Sequence, residues 1–160
     1  MGKLYIGKIT STHGIKGEIK IKSNFQFKNK IFKIGNELII DNKNYTIKSY
    51  RVHKGFDMVT LNDYNDINEV LFLLKKNAFY DENKLKLSNN EMLDKDLINY
   101  DVLTTDGKRG IIKEIFLASE KNKIIRVFID KEYLIPINSP MVKMINKEKN
   151  QVLIELIDGM

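Results

Sequence analysis

The sequence contains no cysteine, no tryptophan and only two prolines among its 160 residues. Without cysteine it can form neither disulfides nor thiolate metal sites, and His13 and His53 alone are too few for a histidine-built zinc site. We therefore expect no structural metal. As a separate expectation, we predict no cofactor. The low proline content, with 42 % hydrophobic and 30 % charged residues, is typical of a chain that folds nearly throughout.

Long apolar runs are also missing. The longest is the five-residue segment VLFLL at 70–74, and the N-terminal MGKLYIGKI lacks the apolar segment and small-residue cleavage site of a secretory signal. These absences predict a cytoplasmic protein that does not contact the membrane.

Acidic residues are scarce at one end of the chain only. Residues 1–85 carry 15 Lys and Arg against 9 Asp and Glu, whereas residues 86–160 carry 12 against 12. Residues 1–54 alone hold 12 basic and 3 acidic side chains. A genome bias toward lysine and asparagine codons adds lysines without a ligand, but it does not explain why acids are missing from one end. We interpret the N-terminal half as a surface that attracts phosphates.

Strand signals dominate both halves. Short alternations of apolar and polar residues, rich in β-branched and aromatic side chains, predict strands at 4–10, 18–24, 36–41, 45–52 and 57–61, and then at 99–105, 108–118, 124–130, 133–137, 141–145 and 151–157. Turns are predicted at Asn42–Asn44, at Asp106-Gly107 and at 119–123. Pro136 has to lie at a strand end, an edge or a bulge, because it cannot donate to a central ladder.

One helix is predicted at 65–76, with Asp66 as N-cap and Glu69 completing a capping-box-like arrangement. The segment around Phe27 and Phe32 is predicted to be an irregular crossover. Its phenylalanines could stack on unpaired bases, but phenylalanine is more often a core residue, so we favour core packing. The periodicity is lost after residue 82. We therefore predict a mainly β protein with two small β-barrel domains, 1–82 and 95–160, joined by a linker at 83–94.

The most distinctive motif is THGIKGEIKIKS at 12–23. Gly14 and Gly17 have the GXXG spacing of KH domains, but strands flank them here where KH domains have helices. The chain has no cysteine nucleophile, and the carboxylate nearest to His13 in sequence is Glu18, five residues away. We therefore interpret His13 as a loop-structuring or ligand-contacting residue. A general-base role with a distant carboxylate stays open.

The order of motifs along the whole chain resembles one known family. The segments IGKITSTHGIKGEIKIKS, RVHKGFDMVTL, DINEVLFLL, DLINYDVLTTDGKRGIIKEI and YLIPI are similar to those of RimM, a bacterial ribosome maturation factor family. The HGIKGE element and its distance from RVHKG carry the resemblance. It implies a six-stranded N-terminal barrel like those of elongation factors, a C-terminal PRC barrel, and no catalysis.

The resemblance also implies partners and site residues. RimM-like proteins bind the head of the immature small ribosomal subunit, through small-subunit ribosomal protein nineteen and neighbouring rRNA, and assist late assembly and rRNA processing. In this chain the N-terminal rRNA or ribosome contact is then expected at His13, Gly14, Lys16, Gly17, Lys20, Arg51, His53 and Lys54. A monomer is the default expectation.

The C-terminal contact departs from the family pattern. Many members have adjacent tyrosines before a DLIG motif, whereas this chain has Met92 and Leu93 there, and Asn99 replaces the glycine. Met92, Leu93 and Leu97 are expected to contact the ribosomal protein through apolar packing.

Two other classes stay open at this point. The same barrel type occurs in flavin reductases, so a flavin- or nucleotide-binding enzyme is one alternative, and a simple RNA-binding module without a protein partner is the other.

Overall fold

The computed structural model describes residues 2–88, 91–119 and 122–160. The chain divides into two compact units, Met1–Ser88 and Asn89–Met160, and both are built mainly of strands, which confirms the predicted fold class. The limits of the linker stay a prediction, and the predicted turn at 119–123 includes residues outside the described ranges. Among the described helices, none is long or apolar enough to cross a membrane.

The first unit contains six strands and two one-turn helices. These are β1 Lys3–His13, β2 Glu18–Lys22, α1 Lys28–Ile31, β3 Glu37–Ile40, β4 Lys43–His53, β5 Phe56–Leu61, α2 Ile67–Val70 and β6 Asn77–Asp81, with 3₁₀ turns at Leu71–Leu73 and Glu82–Lys84.

The six strands close into a barrel in the order β1-β2-β5-β4-β3-β6. The alternation in the sequence places every second side chain inside, and the interior is filled by isoleucines such as Ile6, Ile9 and Ile19, each at most 1 % exposed. Closure depends on β6, which pairs with both β1 and β3. A closed ring leaves no unpaired strand edge in this unit.

The predicted helix at 65–76 is shorter than expected. Asp66 is the N-cap, since its side chain accepts a hydrogen bond from the backbone N–H of Asn68 at 2.9 Å, but α2 is followed at once by a 3₁₀ turn. The three-residue period of that turn brings Leu73 into the core with Val70 and leaves Leu71 45 % exposed.

The hairpin turn predicted at Asn42–Asn44 lies one residue earlier. Asp41 and Asn42 both have positive φ, at 52° and 62°, and Lys43 already pairs with Ile40. Two successive left-handed residues give a tight turn whose twist matches the strands it joins. The Asp-Asn pair therefore forms the turn, and Lys43 belongs to β4.

Asp57 on β5 is a buried carboxylate at one end of the barrel. The Lys28 ammonium of α1 lies 2.8 Å from its Oδ2, and the Tyr50 hydroxyl donates to its Oδ1 at 2.6 Å. Phe32 stacks on Tyr50 with ring centroids 5.2 Å apart. Burial, together with Asp57, raises the pKa of the Tyr50 hydroxyl. The segment predicted as an irregular crossover thus contains α1, and Phe32 is core.

In the described residues of the second unit there are one short helix and six strands. These are α3 Asp94–Leu97, β7 Asp101–Thr104, β8 Arg109–Ser119, β9 Asn122–Phe128, β10 Glu132–Pro136, β11 Val142–Asn146 and β12 Gln151–Ile154. The sheet order is β10-β9-β8-β7-β12-β11, around a core that includes Val102, Ile112 and Ile135. Pro136 is the last residue of the edge strand β10, as its missing N–H requires.

Candidate functional site

The loop between β1 and β2, residues 14–17, is anchored to the start of α2. The backbone N–H of Ile67 donates to the carbonyl oxygen of Ile15 at 2.9 Å, while the Ile15 side chain is 77 % exposed. Gly14 and Gly17 have φ values of 70° and 86°. The loop is therefore a fixed bend that presents Lys16 and Ile15 outward.

Two matched substitutions test this bend. A Cβ on Gly14 would meet open space, whereas one on Gly17 would lie 3.2 Å from the Tyr64 carbonyl oxygen. We expect Gly14→Ala to lower the free energy of unfolding of the first unit by about 1 kcal/mol, the cost of a left-handed alanine. Gly17→Ala should cost about 2 kcal/mol, because crowding adds to it. Urea denaturation measures both, and equal losses would show that the contact with Tyr64 contributes nothing.

The turn between β4 and β5 is the second predicted loop. Lys54 and Gly55 have φ values of 51° and 82°, which is the pattern of a two-residue hairpin turn. His53 pairs with Phe56 at the end of the ladder. The turn holds Lys54 exposed at its tip.

The structure brings the two loops together. The imidazole rings of His13 and His53 lie 5.1 Å apart at an angle of 54°. Arg51 donates to both oxygens of Glu18, from Nε at 2.9 Å and from Nη2 at 2.8 Å. Since Glu18 is on β2 and Arg51 on β4, this pair crosses over β5. We call the resulting surface, made of His13, Lys16, Glu18, Lys20, Arg51, His53 and Lys54, the loop face.

The centre of the loop face is well packed. Met58 lies in register between Lys20 and Arg51, and neighbours in register point to the same side of a sheet. Met58 therefore points to the outer side of the barrel, yet it is 0 % exposed. This is consistent with cover from the Arg51–Glu18 pair that crosses β5. The Lys20 ammonium lies 5.3 Å from the centroid of the Phe56 ring. The side chains of Lys20 and Arg51 thus lie next to apolar groups, which restrict their orientation.

Electrostatics on the loop face favour anions. The hydrogen bonds from Arg51 lower the pKa of the Glu18 carboxyl, and the charges of Arg51 and the two histidines add to this effect. Desolvation, followed by the positive charges of Arg51, His13, Lys54 and Lys20, lowers the pKa of His53. His53 is therefore more reluctant to take a proton than an isolated histidine, and an approaching anion would relieve this.

Three lysines of the loop face have no acidic partner among the described residues. Within the described part of the chain, no carboxylate lies within ion-pair distance of Lys16, Lys20 or Lys54. In the second unit, Lys108, Lys123, Arg126 and Lys143 each have an acidic partner. The loop face thus gathers three lysines whose charge no described carboxylate compensates.

The arrangement around His13 does not favour acid–base chemistry. Glu18 is the carboxylate that the β1–β2 register places opposite His13, and both of its oxygens already accept hydrogen bonds from Arg51. A carboxylate that already accepts two hydrogen bonds from an arginine is less available to orient the second nitrogen of a histidine base. The geometry is better suited to holding an anion than to moving a proton.

The predicted C-terminal contact residues lie mostly inside the fold. Leu93 is 7 % and Leu97 3 % exposed, and Leu97 belongs to the core of the second unit, against which Met92 packs. Leu93 and Leu97 have little surface to offer a partner. Their direct contact with a ribosomal protein stays a prediction, and their burial does not support it.

The structure reveals a different exposed surface on the second unit, which we call the sheet face. Leu134 of β10, Arg126 of β9 and Glu114 of β8 are in register, and Phe128 lies two residues from Arg126 on the same side. Leu134 and Phe128 are 51 % and 45 % exposed. The Arg126 guanidinium is held by Glu114 and Glu132, each at 3.2 Å, and lies 5.5 Å from the Phe116 ring.

A sequence signal for the sheet face was present. The runs IIRVF and YLIP are apolar at nearly every position. Since successive residues of a strand point to opposite faces, a strand with apolar residues at both odd and even positions has two apolar faces. One of those faces is the core, so the other has to be a surface patch.

Comparison with known proteins covers the whole chain. A RimM N-terminal domain model matches residues 4–85, and a PRC-barrel domain model matches residues 89–160. Three curated relatives carry the name ribosome maturation factor RimM. The Staphylococcus saprophyticus protein is 39 % identical over 99 % of this chain and 98 % of its own length. The Ligilactobacillus salivarius protein is 38 % identical, over 97 % and 96 %, and the Staphylococcus aureus protein 36 %, over 99 % and 98 %. With both halves matched in order and relatives aligned nearly end to end, the chain belongs to the RimM ribosome maturation factor family.

Proposed function

We propose that this protein is a cytoplasmic, non-enzymatic assembly factor that binds the head of the immature small ribosomal subunit and assists late assembly and rRNA processing. The first unit contacts rRNA through the loop face. The second unit contacts a polypeptide, small-subunit ribosomal protein nineteen. The observation that carries the proposal is that two loops meet on one face of the first unit and place there Lys16, Lys20 and Lys54, for which the described residues provide no acidic partner.

The loop face suits an rRNA backbone. Phosphate contacts by lysine and arginine provide most of the sequence-independent affinity for nucleic acid, and they make it dependent on salt. Lys16 and Lys54 project from two turns that meet at the histidine pair, so they can reach phosphates on either side of it. The Arg51–Glu18 pair, with its two hydrogen bonds, links β2, which follows the first loop, to β4, which precedes the second.

The sheet face suits a protein surface. Protein interfaces are enriched in aromatic side chains and arginine at their centres, with charges compensated around them. Arg126, Phe116, Phe128 and Leu134 supply those residue types, and Glu114 and Glu132 balance the arginine. We therefore assign the polypeptide contact to the sheet face.

Binding alone is sufficient for such a factor to act. A protein that binds the correctly folded rRNA–protein arrangement more tightly than a misfolded one shifts the population toward it, by no more than the difference in affinity. No covalent step is needed.

The experiment is co-sedimentation of the purified protein with small-subunit precursors and with mature small subunits, followed by identification of the rRNA and proteins that cross-link to it. We expect preferential association with precursors and cross-links to the head. Equal association with both particles, or cross-links only outside the head, would contradict the proposal.

Precursor binding should also depend on pH through His53. Because its pKa is lowered in the free protein, His53 is neutral at about pH 7.5 and takes up its proton at a lower pH than an ordinary histidine, whose pKa is 6.5. Bound phosphates favour the protonated form, so affinity should rise about threefold to tenfold between about pH 7.5 and pH 6. His53→Gln should remove much of this rise.

The stability of the free protein should change in the opposite direction. A histidine with a lowered folded-state pKa contributes stability above its unfolded pKa, and that contribution is lost as the pH falls through the folded pKa. The melting temperature of the wild type should therefore fall over the same interval, and less so in His53→Gln. Affinity that is flat with pH in both proteins would remove His53 from the site.

A further inference from the structure

A second cationic surface lies on the outside of the barrel, away from the two loops. It is formed by β6, β1 and β2 and the residues before β6. We call it the lysine–aromatic face, and its members are Lys3, Tyr5, Lys8, Lys22, Lys75 and Phe79.

Two aromatic rings form its centre. Tyr5 and Phe79 are in register on β1 and β6, and their ring centroids lie 5.8 Å apart at 72°. Tyr5 is 54 % exposed. The Lys3 ammonium lies 5.2 Å from the centroid of Phe79. A large aromatic side chain on the outer side of a barrel buries little area for folding, so its exposed ring is available to a ligand.

Lysines on this face repel one another. Lys8 on β1 is directly opposite Lys22 on β2, and both are exposed. Like charges in register destabilise a sheet. In the described ranges neither lysine has an ion-pair partner. The fold retains an unfavourable pair at a position where a bound polyanion would neutralise it.

A depression of about 340 Å³ adjoins the rings. Its lining consists of Lys3, Asp41, Asn42, Lys75, Lys76, Asn77 and Phe79. Asp41, the acid of this set, is paired with Lys76. Lys75 has a left-handed φ of 66°, and its backbone N–H donates to the Ile9 carbonyl oxygen at 2.7 Å, which fixes its position. The depression is thus lined by ammonium groups, side-chain amides, the paired Asp41 carboxylate and the Phe79 ring.

We propose that the lysine–aromatic face binds single-stranded RNA, with an unpaired base stacked on the exposed ring of Tyr5, next to Phe79, and phosphates held by Lys3, Lys8 and Lys22. Base–aromatic stacking next to a cationic track is the usual chemistry of single-strand recognition. Bases inside a duplex are already stacked, so a duplex would gain only the phosphate contacts.

The two cationic surfaces are continuous. Lys20 of the loop face and Lys22 of the lysine–aromatic face are two residues apart on β2 and project from the same side. One strand of RNA can therefore pass from one surface to the other. The inference rests on the proposed rRNA contact only in the choice of polyanion, and it adds a base-stacking site to the phosphate contacts proposed for the loop face.

The test compares fluorescein-labelled single-stranded RNA of twelve nucleotides with a duplex of the same sequence, by fluorescence anisotropy. Tyr5→Leu, which keeps an apolar side chain and removes the ring, should weaken single-strand binding about tenfold and duplex binding less than about twofold. Phe72→Leu is the matched control, because that ring is 49 % exposed, packs with Tyr45 and Tyr64 and belongs to neither cationic face. It should leave both affinities unchanged.

A second readout locates the base. RNA carrying 4-thiouridine should cross-link to peptides containing Tyr5 or Phe79. Unchanged single-strand affinity in Tyr5→Leu, an equal loss for single strand and duplex, or cross-links confined to the loop face would overturn the inference. A Tyr5→Leu defect in binding a ribosomal protein, with RNA affinity intact, would overturn it too, in favour of a protein partner. Failure of precursor binding leaves this assay unaffected, so the two proposals can fail separately.

Discussion

Replacing Lys16, Arg51 and Lys54 together by alanine is expected to weaken binding to small-subunit precursors roughly 100-fold near 0.1 M salt. Each cation that neutralises a phosphate contributes close to one unit to the slope of log affinity against log salt. The slope should therefore fall by about two to three. Binding measured across a salt titration gives both numbers. The effect is large because Lys16 and Lys54 have no acidic partner in the described structure, so their charge is fully available.

Arg51 needs a control of its own, because its removal also exposes the Glu18 carboxylate. Adding Glu18→Gln to the triple variant removes that new negative charge and should recover part of the loss. Replacing Lys33, Lys113 and Lys149 by alanine, three exposed lysines outside the loop face, should change the affinity by less than about threefold. A triple variant with wild-type affinity and slope would remove the electrostatic basis of the proposed function.

Replacing Lys28 by methionine is expected to lower the free energy of unfolding of the first unit by about 2–3 kcal/mol. Removing one member of a buried ion pair leaves the other as an uncompensated charge, which is among the most costly single changes. The Asp57 carboxylate is only 3 % exposed, whereas the Lys28 side chain is 35 % exposed. The estimate is therefore below the largest losses known for fully buried pairs. Urea denaturation, with hydrogen exchange read on peptides of the first unit, measures the change.

The double variant Lys28→Met/Asp57→Asn separates the charge from the packing. With the carboxylate neutralised, no charge is left buried and Tyr50 keeps an acceptor, so the double variant should be more stable than Lys28→Met alone. Lys33→Met, at an exposed position just after α1, should change stability by less than about 0.5 kcal/mol. A Lys28→Met variant as stable as Lys33→Met would show that the pair does not hold α1 to the barrel.

Strand positions could be predicted largely from the sequence, because alternation has a period of two in any half-buried strand. The five strands predicted in the first half and the six in the second all appear, with small shifts at their ends. The sixth strand of the barrel could not be predicted in this way. Asn77–Asp81 is short and follows a helical signal, so pattern alone did not identify it as a strand, and only the family resemblance required six.

Helix lengths were predicted less well. The N-cap at Asp66 is a local interaction between a side chain and a backbone N–H two residues away, and it could be predicted correctly. Where the helix ends is decided by packing against the barrel. The left-handed Lys75 and the hydrogen bonds that join Ile9 to residues 75 and 76 draw the chain into β6 after only two turns.

For the candidate site, the sequence supplied the members and the structure supplied their arrangement. The two loops are about forty residues apart, and nothing local shows that His13 and His53 lie in contact or that Arg51 pairs with Glu18 across a third strand. The burial of Leu93 and Leu97 could not be predicted from the sequence either. An apolar residue in or next to a linker has the same local pattern whether it contacts a partner or the core.

Composition and pattern by themselves determined that this chain is mainly β, carries its excess charge on the N-terminal half, and presents lysines from glycine-containing turns. These properties depend on residues close together in sequence, and local physics is enough to establish them. Only the tertiary structure decided which cations are free and which are neutralised, and which aromatic rings stay outside. Those outcomes depend on pairing between strands distant in sequence, where curvature and register bring side chains within a few ångströms.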